Sequence, residues 1–347
     1  MDCHLLSHGI SVEKDSLHDC CLTHGYNGRP FIIKLNKDNT VDWADVFDLK
    51  KILKDGKRIN EKECKGCRLL GNERIFTDEG DYISHINLNH WNICNSKCVY
   101  CSKDYNGGDK YFNVLPMMKE LFAYNGGKAI NTEGELTFQG GEPTMLPEFE
   151  ELINMFTEKK ILVRIHSSGI KYSQAVTDGL KNNSVILVVS PDTAVKETYK
   201  KIKRVDACDR VWQNLEKYAE AQKEPDRVKA KFIIIAGYND SIEEIDAFLQ
   251  RAKSIGINRI VWEIECMYAA RYQYDIPHVS MLLDYAVRET EKCGLTYEYY
   301  DGAMYVQNKK NNVIRDITDK AAFSEEFETL KERYKDRNLD YIKIFSQ

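Results

Sequence analysis

Three cysteines, Cys94, Cys98 and Cys101, stand in the run Ile93-Cys94-Asn95-Ser96-Lys97-Cys98-Val99-Tyr100-Cys101, and this spacing constrains the chain more than any other feature. Thiols so close in sequence can serve one inorganic centre only if a single loop turns all of them inward. A four-iron, four-sulfur cluster normally takes four thiolates, so a loop supplying three leaves one iron open to bind a small molecule through nitrogen and oxygen. A zinc site would want a fourth cysteine or histidine. His90 is near, but it precedes the loop, at the end of a run over 86–91 that reads as a strand. Three buried thiols in a core are the plainest alternative.

Beyond the loop, two kinds of segment alternate along the chain. Apolar or β-branched runs occur at 136–138, 161–165, 185–189, 230–235 and 260–264, with helical spacing between them over 146–158, 172–182, 195–221 and 242–255. With the strand before the cysteines this makes a βα repeat of six units, short of the eight of a closed barrel. The second strand ends in Gln139-Gly140-Gly141-Glu142-Pro143. Paired glycines allow backbone to approach a ligand closely and turn its carbonyls toward an ammonium; alone, they also fit an ordinary strand-to-helix turn.

The cysteine spacing, the Gly-Gly-Glu turn and the six-unit repeat together resemble the radical S-adenosylmethionine (radical SAM) enzymes. The resemblance implies an α/β fold, a partial (β/α)6 barrel. It also implies that the open iron chelates the amino and carboxylate groups of S-adenosylmethionine, whose reductive cleavage gives a 5′-deoxyadenosyl radical that takes hydrogen from substrate. Gly140, Gly141 and Glu142 would then lie at the methionine amino group. Ser190-Pro191-Asp192 and the helix Glu197-Thr198-Tyr199 ending in Lys203-Arg204 are similar to the subgroup with SPASM or twitch auxiliary-cluster modules. In that subgroup, the Ser and Asp lie near the ribose and carboxylate, and a basic residue after the helix pairs with the carboxylate. Lys203 and Arg204 both stand at that place, and a point charge and a planar fork bind carboxylates differently. Ser168 and Asn239 resemble further cofactor contacts; Ser168 equally fits an exposed loop serine, and Asn239 a cap of the next helix. Tyr100 matches an aromatic residue beside the adenine, or serves as packing.

A second constellation precedes the loop: Cys3, the pair Cys20-Cys21, and Cys64-x2-Cys67. Eleven cysteines, an odd number and mostly grouped, point to metal rather than a disulfide framework. The order of cysteine, hairpin, paired cysteines, a helix over 43–54 and Cys-x2-Cys looks like a twitch or SPASM-like module placed ahead of the barrel. It implies a second [4Fe-4S] cluster, fully ligated and suited to electron transfer, with either Cys20 or Cys21 as ligand. Structural zinc on the same thiols is the alternative. The expected organisation is therefore a cluster module over 1–80, a radical SAM barrel over 81–270, and a C-terminal α+β extension over 271–347 that shapes the substrate site.

Of the remaining thiols, Cys266 follows the sixth strand and is a candidate hydrogen-atom donor, with burial as the competing reading for it, Cys208 and Cys293. Glu263 and Glu265 share one strand face and are candidate substrate contacts, with a satisfied buried pair as the alternative. A net charge of −5 argues against a nucleic-acid partner. The sequence carries neither a membrane-length apolar run nor a signal-peptide pattern at Met1-Asp2-Cys3-His4, so a cytoplasmic enzyme without a membrane partner is expected. Peptide or protein modification is the expected activity, with dehydrogenation or epimerisation of a sugar or other small molecule as its alternative. A flavodoxin or ferredoxin would supply electrons. A non-enzymatic zinc adaptor is the competing class.

Overall fold

The strand that leads into the cysteine loop, β4 (Ile83–Leu88), is buried along almost its whole length, as a strand covered on both faces must be. It belongs to a computed structural model that describes residues 8–18, 32–54, 80–101, 108, 111–265 and 276–300. Two units divide the chain. One is formed by Met1–Asn95, Lys103–Ser167 and Ser173–Leu187, the other by Ser96–Ser102, Ser168–Tyr172 and Val188–Gln347.

In the first unit, β1 (Gly9–Val12) and β2 (Ser16–His18) form a hairpin, and β3 (Ile32–Lys34) pairs antiparallel with β2. β1 also runs parallel to β4, from Gly9 opposite His85 to Val12 opposite Leu88. Side chains tie this seam: the Asn87 amide donates to Ser11 Oγ at 3.1 Å and the Asn89 amide to Glu13 at 3.0 Å. α1 (Trp43–Lys54) begins after Asp42, whose carboxylate accepts from the Ala44 N–H. α2 (Leu115–Ala123) starts with Pro116 in its first turn, where a missing N–H costs nothing. β5 (Ile130–Phe138) and β6 (Leu162–Ser167) continue the sheet in parallel. α3 (Phe149–Glu158) buries Phe149, Leu152, Ile153 and Phe156, an i, i+3, i+4, i+7 stripe, and α4 (Gln174–Lys181) packs beside it.

β7 (Val185–Val189) ends just before Pro191, and its Val188 and Val189 belong to the second unit. There α5 (Lys196–Lys203) and α6 (Cys208–Ala221) are followed by β8 (Val228–Ile234), α7 (Ile242–Ser254), β9 (Arg259–Ile264), α8 (Ile276–Lys292) and β10 (Thr296–Tyr300). β8, β9 and β10 are parallel neighbours. One face of β8 and β9 is aromatic: Phe232 and Trp262 pack with Phe248 of α7, which also meets Trp212 of α6. The other face carries ion pairs, Lys231 with Glu263 at 2.8 Å and Arg259 with Glu298 at 3.0 Å.

The strand directions are those of the expected α/β fold. Over 195–221 the helical pattern is cut in two, because Arg204 takes a left-handed φ of 55° and ends α5 with its N–H on Lys200 O. Residues 301–347 of the expected C-terminal extension lie outside the described residues. So do Cys3, Cys20, Cys21, Cys64, Cys67 and Cys266.

β5 starts earlier than its apolar residues suggest, and its register against β4 shifts between Ile83 and His85. Gly134 makes the approach possible: a Cβ there would lie 2.0 Å from the Ser84 carbonyl oxygen. Gly134→Ala is expected to lower stability by about 1–3 kcal/mol, the usual cost of overpacking against backbone. Urea unfolding of the two proteins checks it; an unchanged midpoint would contradict the close approach.

Candidate active site

In the first unit, the chain leaving β4 toward Cys94 is held from behind by the turn after β5. The Gln139 N–H donates to Leu88 O, the Gly141 N–H to Trp91 O at 3.1 Å and the Glu142 N–H to Ile93 O at 2.8 Å. Glycine is required for this grip, since a Cβ on Gly141 would sit 2.2 Å from Ile93 O, and Gly140 has a φ of 105°. Glu142 is buried, and its carboxylate accepts from the Thr144 N–H, the Thr144 hydroxyl at 2.7 Å and the Ser167 hydroxyl at 2.9 Å. Its side chain therefore fastens the turn, while the glycines bring backbone against the segment that enters the cysteine loop. Cys94 is half-buried at the end of that segment.

In the second unit, Cys98 and Cys101 are half-buried thiols of one turn, closed by the Cys101 N–H on Cys98 O at 3.1 Å. The turn sits on the end of α5: the Lys97 N–H donates to Lys203 O and the Val99 N–H to Ile202 O. The last carbonyls of a helix have no partner within it, so these bonds satisfy groups that would otherwise need water. Val99 and Tyr100 pack on Ile202, Ile233 and Ile235.

Three of the expected cofactor residues meet in the same place. The Tyr100 hydroxyl donates to Asp192 Oδ2 at 2.7 Å, the Lys203 ammonium donates to the Tyr100 oxygen at 2.6 Å, and Lys203 is ion-paired with Asp192. The side chains of Lys203 and Asp192 are 2% and 0% exposed. Burial works against the charged lysine, yet the carboxylate of Asp192 and the nearby Cys98 sulfur hold its pKa above the usual lysine value. Burial, then Asp192 and Cys98, push the Tyr100 phenol well above its own. Asn239 joins from behind: its amide donates to the carbonyls of Asp192 and Ile233, and its oxygen accepts from the Ile235 N–H. The cap of α7 falls to Ser241 instead.

The other expected residues stand apart from this knot. Arg204 is exposed, Ser190 is half-buried, and the hydroxyl of Ser168 accepts from the Ile170 N–H at 3.4 Å. Glu263 pairs with Lys231. Cys208 is buried, its thiol donates to Ala194 O, and burial pushes it up to about 11. Among the described residues no three His, Cys, Asp or Glu side chains surround the position of a single metal ion. A four-iron cluster makes a different demand, since each thiolate goes to its own iron. Cys94 in the first unit, and Cys98 and Cys101 in the second, are half-buried thiols outside any disulfide, as ligands of such a cluster must be. Sequence reasoning named Tyr100, Asp192 and Lys203 separately and missed that they bind one another, because nothing local links residues 92 and 103 positions apart.

Comparison with known proteins gives a consistent picture. A sequence model of the Radical SAM superfamily matches residues 88–252. A GTP 3′,8-cyclase of Clostridium botulinum is 23% identical over 208 residues, which is 59% of this chain and 64% of that protein. A probable GTP 3′,8-cyclase of Saccharolobus islandicus is 28% identical over 185 residues, 50% of this chain and 54% of its own length. The chain thus spans less than two thirds of these curated relatives. Among solved structures, Streptococcus suis SuiB bound to S-adenosylmethionine superposes with a TM-score of 0.52 at 15% identity, over 66% of this chain and 53% of that one. SuiB bound to its precursor peptide SuiA gives 0.52 at 14%, over 85% and 72%. These structural likenesses show a shared α/β fold.

His90, just ahead of the cysteines, adds a pH signature. It is fully buried between Trp91 and Phe112, neither ring nitrogen has a hydrogen-bond partner among the described residues, and burial lowers its pKa from 6.5 to about 3. The folded chain thus resists a proton that the unfolded chain takes below pH 6.5, so stability falls as pH drops through that value. At about 1.4 kcal/mol per pH unit, His90 should cost about 2 kcal/mol at pH 5 relative to pH 8. His90→Phe should flatten this part of the profile in denaturant melts at the two pH values. An unchanged slope would contradict it.

Proposed function

We propose that this chain, whose residues 88–252 are a radical SAM domain, uses Cys94, Cys98 and Cys101 to hold a [4Fe-4S] cluster and acts as a radical SAM enzyme on a peptide or protein. When bound, the cluster and S-adenosylmethionine supply a 5′-deoxyadenosyl radical that removes a hydrogen atom from substrate. What supports the reading above all is the pinning of the cysteine-bearing segment by the Gly140-Gly141-Glu142 turn, with Glu142 N–H on Ile93 O at 2.8 Å. Gly140 and Gly141 would offer backbone to the methionine amino group, Ser168 and Ser190 would serve the nucleoside side, and Arg204 would take the carboxylate. Arg204 is favoured over Lys203 because its guanidinium is exposed, whereas the Lys203 ammonium is already engaged by Asp192 and Tyr100. Tyr100, Asp192, Lys203 and Asn239 bind one another within the second unit and hold the Cys98–Cys101 turn.

We assign Cys3, Cys64, Cys67 and one of Cys20 and Cys21 to an auxiliary [4Fe-4S] cluster, an N-terminal twitch/SPASM-like module that exchanges an electron with the substrate radical. Cys266 is assigned as a hydrogen-atom donor. A flavodoxin or ferredoxin is the proposed reductant, and a reducing cytoplasm the proposed location. No described helix is long and apolar enough to cross a membrane. A peptide substrate agrees with the fold shared with SuiB, one of whose structures holds a precursor peptide. A small-molecule substrate is the second reading, favoured by the GTP 3′,8-cyclases among the sequence relatives.

Anaerobic reconstitution with iron and sulfide tests both levels. Wild type should hold about eight irons, as two four-iron clusters would, and release 5′-deoxyadenosine when reduced. The variant with Cys94, Cys98 and Cys101 changed to Ala should keep about half the iron and release none. Zinc in place of iron, or no cleavage, would end the enzyme reading. A 5′-deoxyadenosine yield raised by GTP, with conversion of the nucleotide, would replace the peptide reading with the small-molecule one.

A further inference from the structure

We propose that Tyr100, Lys203 and Asp192 are positioning residues that lock the Cys98–Cys101 turn onto the end of α5 before any cluster is present. The proposal rests on the reading of these cysteines as cluster ligands. Its geometric content stands in the polypeptide alone.

The lock begins in β8. Asp192 Oδ1 accepts from the Ile233 N–H at 3.2 Å, the Asp192 N–H donates to Lys231 O at 3.3 Å, and Asn239 donates to Asp192 O at 2.6 Å. These bonds hold Asp192 in a left-handed conformation, φ 61°, that a non-glycine residue adopts only when its surroundings impose it. Its other oxygen then receives both the Tyr100 hydroxyl and the Lys203 ammonium. Tyr100 lies between the two cysteines, and Lys203 also offers its carbonyl to the Lys97 N–H. The turn is therefore gripped twice by the same helix end, once through backbone and once through a side-chain knot.

An apolar trio could fill this volume at similar or greater stability, because burying two charges costs several kcal/mol before their attraction returns it. What ions and a phenol add is direction. The three groups satisfy one another in only one register of the turn, and that register fixes where the thiols of Cys98 and Cys101 emerge. The same closure explains why Lys203, unlike Arg204, is not a contact to S-adenosylmethionine: its ammonium already serves two oxygens in a site with almost no exposure.

The test uses the full chain purified without iron and asks how fast iodoacetamide modifies each thiol, read by peptide mass spectrometry. Tyr100→Phe keeps the ring and removes the hydroxyl. It should speed modification of Cys98 and Cys101 about tenfold, the scale set by a lost hydrogen bond to a charged group, while buried Cys208 keeps its wild-type rate. The double variant Lys203→Met with Asp192→Asn, which removes both charges at similar volume, should do the same. After reconstitution, the Tyr100→Phe cluster should lose iron to a chelator faster and show a shifted electron paramagnetic resonance spectrum when reduced, a change that general loss of stability would not produce. Unchanged rates at Cys98 and Cys101 would overturn the lock. So would an equal rise at Cys208, which would mean loosening of the whole unit. A wild-type chain that takes up no iron would end the enzyme reading and leave the alkylation result to stand by itself.

Discussion

Backbone hydrogen bonds leave the cysteine segment little freedom, and the candidate site depends on them. On the segment's entering side, Trp91 and Ile93 give their carbonyls to Gly141 and Glu142; on its leaving side, Lys97 and Val99 give their N–H groups to the last carbonyls of α5. Each set lies within one unit, and each uses a particular local feature. A glycine without a Cβ permits the first, and a helix end with orphaned acceptors provides the second. Thiols on a segment held at four places need less ordering to receive a cluster than thiols on a free loop, so part of the entropy cost of binding falls on folding instead.

Much of this was legible in the sequence, and what was not has physical reasons. β7 and α1 match their sequence patterns residue for residue, because each is a short run with one dominant period and clear ends. β5 was seen only in its last residues, since Asn131-Thr132-Glu133-Gly134 lacks apolar alternation and is held by pairing around a register shift. The helical spacing over 195–221 missed the break at Arg204, because a left-handed residue that is not glycine or asparagine leaves no compositional mark, and only the resemblance put a helix end there. The parallel seam between β1 and β4, and the Tyr100–Asp192–Lys203 knot, join residues far apart in sequence, which local patterns do not encode.

The site residues divide by the work their atoms already perform. Glu142 in the first unit, and Asp192, Lys203 and Asn239 in the second, have their polar groups engaged by the protein. Arg204 is exposed and Ser190 is half-buried. A motif match treats all of these alike. Burial and hydrogen bonding separate contact from support, which is why the two candidate cations at adjacent positions receive different roles. The ion pairs of β8 and β9 are also balanced in sign, Lys231 against Glu263, and Lys229 and Arg259 against Glu298 and Asp226.

The most direct test of the central claim is electron paramagnetic resonance of the reduced, reconstituted wild-type chain, recorded before and after adding S-adenosylmethionine. If one iron of the cluster at Cys94, Cys98 and Cys101 is open, coordination by the cofactor changes the signal. A spectrum indifferent to S-adenosylmethionine would mean that every iron is already fully ligated, and the cysteine segment would then be scaffold for a closed site.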